Sequence, residues 1–240
     1  MKNTAIVLVS PKGDANIGAV ARAMKNFGIT KLILIDPVDY KTKDGYGWAV
    51  DAKDILDNAS IHSSLKEALE EFSISVAFTR RLGRTRKNHL TIENLPESIQ
   101  DHSLSGKIAL VFGTEDAGLN NNEVDLCDMI VSIPTMDSLP SLNLSQAVII
   151  ACYEIYKFSQ RAKPNMNKTW KYASKKQTKK IITLLAQTLD SLDYQNKPDN
   201  EVKDKIINQF NKLFGRAGLL DKDIRMFEGL LSRIASKTKK

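Results

Sequence analysis

Cysteine and histidine are scarce in this sequence, and long apolar runs are missing from it. The 240 residues include two cysteines and three scattered histidines, which excludes a disulfide framework and offers no ligand spacing for zinc. No apolar run reaches the roughly 18 residues of a membrane span, and the short apolar N-terminus lacks the cleavage pattern of a signal peptide. We therefore predict a soluble, cytoplasmic protein without membrane anchor or metal, in which Cys127 and Cys152 are small core residues rather than nucleophiles.

The two common nucleotide-binding glycine motifs are absent as well. Gly13 and Gly18 have the spacing of a phosphate-binding loop, but Ala-Val follows Gly18, where that loop needs Lys and then Ser or Thr. No Gly-x-Gly-x-x-Gly occurs anywhere in the chain. The sequence thus excludes a Walker loop and a Rossmann dinucleotide fingerprint.

Positive charge is concentrated in the last third of the chain. Residues 1–160 carry 16 Lys and Arg against 20 Asp and Glu, whereas residues 161–240 carry 19 against 8. The first part is therefore slightly acidic, and the tail is strongly basic. Cations that neutralise phosphates gain affinity through counterion release, so this asymmetry favours a polyanion-binding appendage over the alternative, an ordinary solvated basic surface.

Short apolar runs alternate with helical patterns through the first 160 residues. The runs predict buried strands at 4–10, 31–36, 73–79, 107–113 and 129–134, and the patterns between them predict helices at 16–27, 48–59, 64–71, 121–127 and 143–160. This alternation is typical of an α/β fold with a parallel sheet covered by helices on both faces. Helical spacing returns in the tail at 175–193, 200–214 and 222–236.

Residues that can do chemistry cluster in loops that follow predicted strands. After the first strand, Gly18, Arg22 and Asn26 fall on one stripe of a predicted helix. That stripe suits an anionic ligand, but it equally suits a surface arginine beside a helix-packing glycine. Spacing alone favours the second interpretation.

Two further loops have the same position relative to their strands. Residues 112–119 combine two glycines, which let backbone approach closely, with Glu115 and Asp116, which can bind hydroxyl or amine groups; a plain turn explains the pattern equally well. The third loop precedes a helix that Ser141 or Asn143 can simply cap. Open parallel sheets bind ligands at the carboxyl ends of their strands, so the three loops together predict a ligand site.

In this order, the three segments resemble the three motifs of the SPOUT family of RNA 2′-O-ribose methyltransferases, in its TrmH/TrmJ-like branch. The matching segments run from Asn16 to Gly28, from Phe112 to Leu119 and from Ser141 to Val148. In the tail, residues 210–214 and 227–234 resemble the helical C-terminal extension of that branch. The resemblance implies transfer of a methyl group from S-adenosylmethionine to the 2′-hydroxyl of cytidine or uridine 32 in a tRNA anticodon loop.

The resemblance also implies roles for matching residues. The implied catalytic set is Arg22, Ser141 and Asn143. The implied cofactor-binding set consists of strand-end residues: Thr79, Arg80, Gly113, Ile133, Ser141, Leu142 and Asn143. RNA contacts are expected from motif residues and from two basic stretches with an aromatic ring: Asn16, Arg22, Glu115, Arg81, Arg84, Arg86, Lys87 and Trp170. Because a guanidinium keeps its proton in proteins, we expect Arg22 to position groups and stabilise charge rather than to act as a base.

The implied architecture is a homodimer. A methyltransferase domain over 1–160 ends in a deep trefoil knot that forms the cofactor pocket, which is an exception to the rule that folds are unknotted. A basic linker over 161–174 and a helical RNA-binding extension over 175–240 follow. Methyl transfer requires alignment and exclusion of water, not a metal. The alternatives are methylation of another tRNA position or of ribosomal RNA, and a catalytically silent RNA-binding protein of the same fold.

Overall fold

The computed structural model describes residues 3–80, 89–100, 102, 106–161, 171–194 and 201–238. The strands within these ranges are β1 (Thr4–Val9), β2 (Lys31–Ile35), β3 (Ser60–His62), β4 (Ile74–Phe78), β5 (His89–Thr91), β6 (Ile108–Phe112) and β7 (Met129–Ser132). They form one sheet in the order β3-β2-β1-β6-β4-β7-β5, in which every neighbouring pair is parallel.

Helices cover both faces of this sheet, as the sequence predicts. They are α1 (Asp14–Asn26), α2 (Lys43–Ala49), α3 (Lys53–Asp57), α4 (Leu65–Ala68), α5 (Leu95–Ser98), α6 (Asn121–Leu126) and α7 (Leu144–Arg161). Side chains alternate along the central strand β1: Ile6 and Leu8 belong to the core formed with α1 and α7, whereas Ala5 and Val7 belong to the core formed with α4 and α6. The period of two along a strand thus divides the apolar residues between two layers.

Predicted and observed elements differ at the sheet edges and after α2. Strands β3 and β5 escape prediction because each has only three residues, and both lie at an edge of the sheet. The single helix predicted over 48–59 is wrong, since α2 ends at Ala49 and a 3-10 turn separates it from α3. Val50 has a φ of +52° at this point. A β-branched residue in that region interrupts a right-handed helix.

The strand order brings three strand ends together. Strand β6 lies between β1 and β4, and β7 lies between β4 and β5. The residues that directly follow β4, β6 and β7 are therefore neighbours at the carboxyl edge of the sheet: Thr79, Gly113 and Ile133. This edge is where parallel sheets bind ligands.

The C-terminal residues form a helical unit with a core of its own. It consists of α8 (Lys175–Ser191), α9 (Val202–Ala217) and α10 (Asp221–Thr238), and its buried apolar side chains include Ile181 and Phe214. Just before α8, the N–H of Ala173 donates to the carbonyl of Leu219 (2.8 Å). The described end of the predicted linker is thus paired with the connection between α9 and α10.

A lysine at the start of α8 joins this unit to the sheet. Lys175 Nζ donates to Ser75 Oγ (2.7 Å) and to the carbonyl of Leu126 (2.8 Å), and it lies 3.0 Å from Asp128 Oδ2. The same carboxylate accepts from the N–H (2.8 Å) and hydroxyl (2.9 Å) of Ser75. Because Ser75 lies at the start of β4 and Asp128 directly precedes β7, the helical unit contacts the amino edge of the sheet, opposite the strand ends described above.

The two cysteines are buried. Burial raises the pKa of Cys152 to about 12, so this thiol is a core residue, as predicted, and not a nucleophile. No helix in the described ranges is long and apolar enough to cross a membrane. Across the same residues, no three His, Cys, Asp or Glu side chains group in a way that could hold a metal ion.

Candidate active site

A cavity of about 220 Å³ opens at the carboxyl edge of the sheet. Six of the seven residues predicted to bind the cofactor line it: Thr79, Arg80, Gly113, Ile133, Ser141 and Leu142. The rings of Phe78 and Phe112, the last residues of β4 and β6, also line the cavity and stack with their centroids 4.3 Å apart. The lining therefore combines aromatic and apolar walls with loop backbone that can accept and donate hydrogen bonds.

The loop after β6 forms one wall and is tightly folded. The N–H of Gly118 donates to the carbonyl of Thr114 (2.9 Å), and Gly118 has a φ of +68°, which favours glycine. A Cβ on Gly113 would collide with the backbone of Gly118 and Leu119. The glycines thus let two backbone segments of this loop, at Gly113 and at Gly118, pack closely against each other.

Glu115 in that loop holds the segment between β1 and α1. Its Oε2 accepts from the N–H of Lys12 (2.9 Å), and its Oε1 accepts from the N–H of Gly13 (3.0 Å) and from Nδ2 of Asn16 (3.1 Å). The sequence predicts Glu115 as an RNA contact, whereas its carboxylate is occupied by groups of the protein. This arrangement gives Glu115 the geometry of a positioning residue.

A salt bridge reinforces the same junction. Lys12 Nζ lies 2.6 Å from Asp116 Oδ2, and the hydrogen bond from Lys12, followed by that from Thr114, lowers the pKa of Asp116 to about 2. Asp116 lines the cavity and is therefore an anion there at neutral pH. Sequence reasoning misses Lys12, because 104 positions separate it from Asp116 and no local pattern marks the pair.

Asn143 connects the third loop to the first. Its Nδ2 donates to Oδ1 of Asn16 (3.0 Å), while its Oδ1 accepts from the N–H (2.8 Å) and the hydroxyl (2.7 Å) of Ser145. The predicted capping of the helix by Asn143 is therefore confirmed, and it occurs together with an interloop contact. Asn143 is not among the cavity-lining residues, although Ser141 and Leu142 before it are. Together with Glu115, the two asparagines link all three motifs in one hydrogen-bonded chain.

Arg22 lies outside the cavity of its own chain. It is exposed on α1, and its side chain forms no hydrogen bond or salt bridge with any other described residue, so its guanidinium is available to a ligand. One turn earlier, a Cβ on Gly18 would collide with the carbonyl oxygen of Gly45 in α2. The helix-packing interpretation of Gly18, which the spacing favours, is thus confirmed.

Five residues with predicted RNA contacts lie outside the described residues: Arg81, Arg84, Arg86, Lys87 and Trp170. Their predicted roles stay predictions. The described neighbour of the first stretch, Arg80, lines the cavity.

Fold and site define a parallel α/β protein with a candidate ligand cavity between the loops that follow β4, β6 and β7. The predicted loop after β1 does not line this cavity but is bound to its wall through Glu115. Residues 3–153 match the SpoU rRNA Methylase family. The chain is 34% identical over 220 residues, 91% of this chain and 94% of the other, to the tRNA (cytidine-2′-O-)-methyltransferase TrmJ of Methanocaldococcus jannaschii. The chain belongs to the SpoU methylase family, which confirms the SPOUT resemblance.

Solved structures agree with this assignment. The crystal structure of TrmJ from Z. mobilis ZM4 has a TM-score of 0.75 with this chain at 30% identity, and the match covers 96% of this chain and 98% of that one. The SpoU methyltransferase AviRb from Streptomyces viridochromogenes, solved in complex with AdoMet, has a TM-score of 0.55 at 20% identity, covering 68% and 63% of the two chains. The second match shows that the fold is shared.

Proposed function

We propose that this protein is an S-adenosylmethionine-dependent tRNA 2′-O-methyltransferase that modifies cytidine or uridine at position 32 of the anticodon loop. The observation that carries the proposal is the hydrogen-bonded chain through Glu115, Asn16 and Asn143, which assembles all three family motifs beside one cavity. The end-to-end match to a tRNA (cytidine-2′-O-)-methyltransferase supports tRNA as the substrate. Position 32 rests on the resemblance of the helical tail. As an enzyme of tRNA, the protein works in the cytoplasm.

The cavity suits the cofactor chemically. Its aromatic and apolar walls fit an adenine ring, and the carboxylate of Asp116, which is paired with Lys12, adds hydrogen-bond acceptors to the lining. Thr79, Gly113, Ile133 and Leu142 are the residues whose backbone would hold the adenosine and methionine portions. When bound, S-adenosylmethionine supplies the methyl group on a sulfonium centre.

The protein's own groups align and protect the reaction. Loops held by Glu115 and Asn143 keep the cavity walls in place, which favours in-line approach of the ribose oxygen and excludes water. Arg22 stays protonated, so it contributes by clamping a phosphate or stabilising negative charge on the ribose oxygen. Ser141 lines the cavity and Asn143 lies two residues further along the chain, and the family resemblance assigns both to the region of the ribose.

The finer fold proposal is a deep trefoil knot at the cofactor site. Two features support it: β6 and β7 are each inserted between strands formed earlier in the chain, and the residues leading into α7 line the cavity. In a knotted chain the cofactor pocket would consist of the crossing segments themselves.

A homodimer would complete the site. Arg22 does not line the cavity of its own chain, so a partner's cavity is the place where it acts. An apolar surface suitable for a second copy exists on α7, where Ile149, Tyr153 and Tyr156 are exposed at helical spacing. Phe27 at the end of α1 packs against both tyrosines, with ring centroids 6.0 and 5.6 Å apart, so this surface is continuous with the helix that carries Arg22.

Mapping of ribose methylation tests the proposal. The full-length protein is incubated with S-adenosylmethionine and unmodified tRNA, and the product is mapped by nuclease digestion and mass spectrometry. We expect one 2′-O-methyl group at cytidine or uridine 32, which is also missing from tRNA of cells lacking the protein. Methylation elsewhere in tRNA or in ribosomal RNA would establish the first alternative, and tRNA binding without methyl transfer would establish a silent binding protein.

A further inference from the structure

Three of the four lysines of α8 lie in salt bridges with carboxylates. Lys175 is bound to Asp128 at the junction with the sheet, Lys179 Nζ lies 3.6 Å from Glu70 Oε1, and Lys180 Nζ lies 3.0 Å from Glu228 Oε1. A cation that already has a carboxylate partner gains less from a phosphate, because the phosphate must compete with the carboxylate for it. The net charge of the tail therefore does not mark α8 as its RNA-binding element.

Helix α10 separates its charges by face. Its three acidic residues are half-buried and satisfied within the unit: Asp221 by Lys171 (3.0 Å), Asp223 by the N–H of Leu220 (2.9 Å) and Glu228 by Lys180. Arg225, Arg233 and Lys237 are exposed, and none of the three forms a salt bridge with another described residue. The outward face of α10 is thus a cationic surface without a salt bridge to any described carboxylate, although Arg225 lies close enough to Asp221 to lower the pKa of that carboxyl.

Between the exposed arginines, the surface of α10 is open at a glycine. Gly229 lies between Arg225 and Arg233 at four-residue spacing, and a Cβ placed on it would meet no atom within 4 Å. No packing within the described chain requires glycine there, although glycine weakens a helix interior relative to alanine. Met226 and Leu230 beside it are 59% and 53% exposed. This face offers close approach, apolar contact and positive charge in one place.

We propose that this outward face of α10, formed by Arg225, Met226, Gly229, Leu230 and Arg233, is the surface on which the C-terminal unit binds the sugar-phosphate backbone of tRNA. The proposal rests on the proposed function, because it assumes a tRNA substrate. The arginines lie about 12 Å apart along the helix axis and contact phosphates, while the glycine admits the backbone between them. Such contacts add affinity and orientation but do not select the nucleotide.

The test compares two double variants of the full-length protein that remove the same charge. R225Q/R233Q removes the unpaired arginines, and the matched control K179Q/K180Q removes two lysines that are 61% and 76% exposed but ion-paired. Affinity for unmodified tRNA is measured at several salt concentrations. We expect R225Q/R233Q to weaken binding about tenfold and to reduce the salt slope by about 1.4 to 1.8, and the control to change affinity less than about twofold.

A third variant tests the open position directly. Gly229→Glu adds a negative charge where the side chain has free space, so the helix should fold and tRNA affinity should fall by a similar factor. Wild-type tRNA affinity in this variant, with intact helical circular dichroism, would overturn the proposal.

The other outcomes are equally decisive. Equal weakening by both double variants means that net charge, not this face, governs binding, and unchanged affinity in R225Q/R233Q means that RNA binds elsewhere; either result overturns the proposal. Loss of the dimer in R225Q/R233Q, seen by sedimentation with tRNA affinity intact, assigns the face to a second copy and also overturns it. Methylation of tRNA by the wild-type protein is measured in parallel. If it occurs, these outcomes overturn only the proposed surface on α10. If the wild-type protein transfers no methyl group, the proposed function itself fails.

Discussion

Replacing Glu115 by glutamine distinguishes a carboxylate that organises the site from one that contacts RNA. Glu115 accepts hydrogen bonds from the N–H groups of Lys12 and Gly13 and from the side chain of Asn16. Glutamine keeps one acceptor oxygen but turns an NH₂ group toward one of these donors. Hydrogen bonds to a charged group contribute about 1.5–3 kcal/mol each. For this half-buried carboxylate we expect Glu115→Gln to lower the free energy of unfolding by about 2 kcal/mol.

The same change should slow the reaction without weakening tRNA binding. Release of Asn16 loosens its contact with Asn143, and 1.4 kcal/mol of lost alignment corresponds to about a tenfold fall in kcat. The measurements are urea unfolding and steady-state kinetics with tRNA and S-adenosylmethionine varied in turn. Asp116→Asn is the control, because it removes the exposed pair with Lys12 and alters an exposed hydrogen bond with Thr114, and it should have little effect on stability. A Glu115→Gln protein with wild-type stability and kcat but a raised KM for tRNA would refute the positioning role.

Three further changes test other parts of the structure. Arg22→Ala should abolish methyl transfer while calorimetry shows cofactor affinity within about threefold of wild type, with poor rescue by lysine; substantial turnover in the alanine variant contradicts the role. Gly18→Ala should cost about 2 kcal/mol in thermal unfolding because its Cβ meets a backbone carbonyl of α2. Gly47→Ala, within α2, adds a Cβ that meets nothing and should be neutral or stabilising by up to about 1 kcal/mol; equal effects of the two changes contradict the packing argument. The hydrogen bonds from Lys12 and Thr114 lower the pKa of Asp116 to about 2. Its small contribution to stability is therefore complete above the ordinary pKa of 3.8 and is lost as the pH falls through 2. The small stability difference between wild type and Asp116→Asn should accordingly be constant near neutral pH and vanish in strong acid.

Local patterns predict the parallel sheet because buried strands appear as continuous apolar runs and the covering helices appear as apolar residues at helical spacing. Residues 4–10 and 107–113 are predicted as strands from uninterrupted apolar runs, and β1 and β6 lie there, fully buried. Strands β3 and β5 have three residues each, too few for a period of two to be recognised, and both are partly exposed. The interruption of the helix at Val50 is equally invisible, because no glycine or proline in the predicted helix over 48–59 marks the positive φ that this residue adopts.

The members of the site are predictable from sequence, but their connections are not. Thr79, Gly113 and Ile133 each follow a predicted strand, and in a parallel sheet the ends of neighbouring strands share one edge. The hydrogen bond from Asn143 to Asn16 joins residues 127 positions apart. Nothing in either segment specifies that these amides face each other, so sequence reasoning predicts a ligand-binding loop and a helix cap without the bond between them.

The net charge of the tail predicts that it is basic, but this sum does not distinguish lysines bound to carboxylates of the protein from cations that are exposed to solvent. Of the lysines of α8, Lys175 is directed into the sheet domain, where it compensates Asp128 beside the buried Ser75. A charge in that environment fixes the relative placement of the two units and is unavailable to phosphate. A basic residue contributes less to RNA affinity when a salt bridge with a carboxylate must first be broken or shared. The outward arginines of α10 form no such salt bridge with a described residue, so the affinity of the tail should follow two exposed side chains more closely than its total charge.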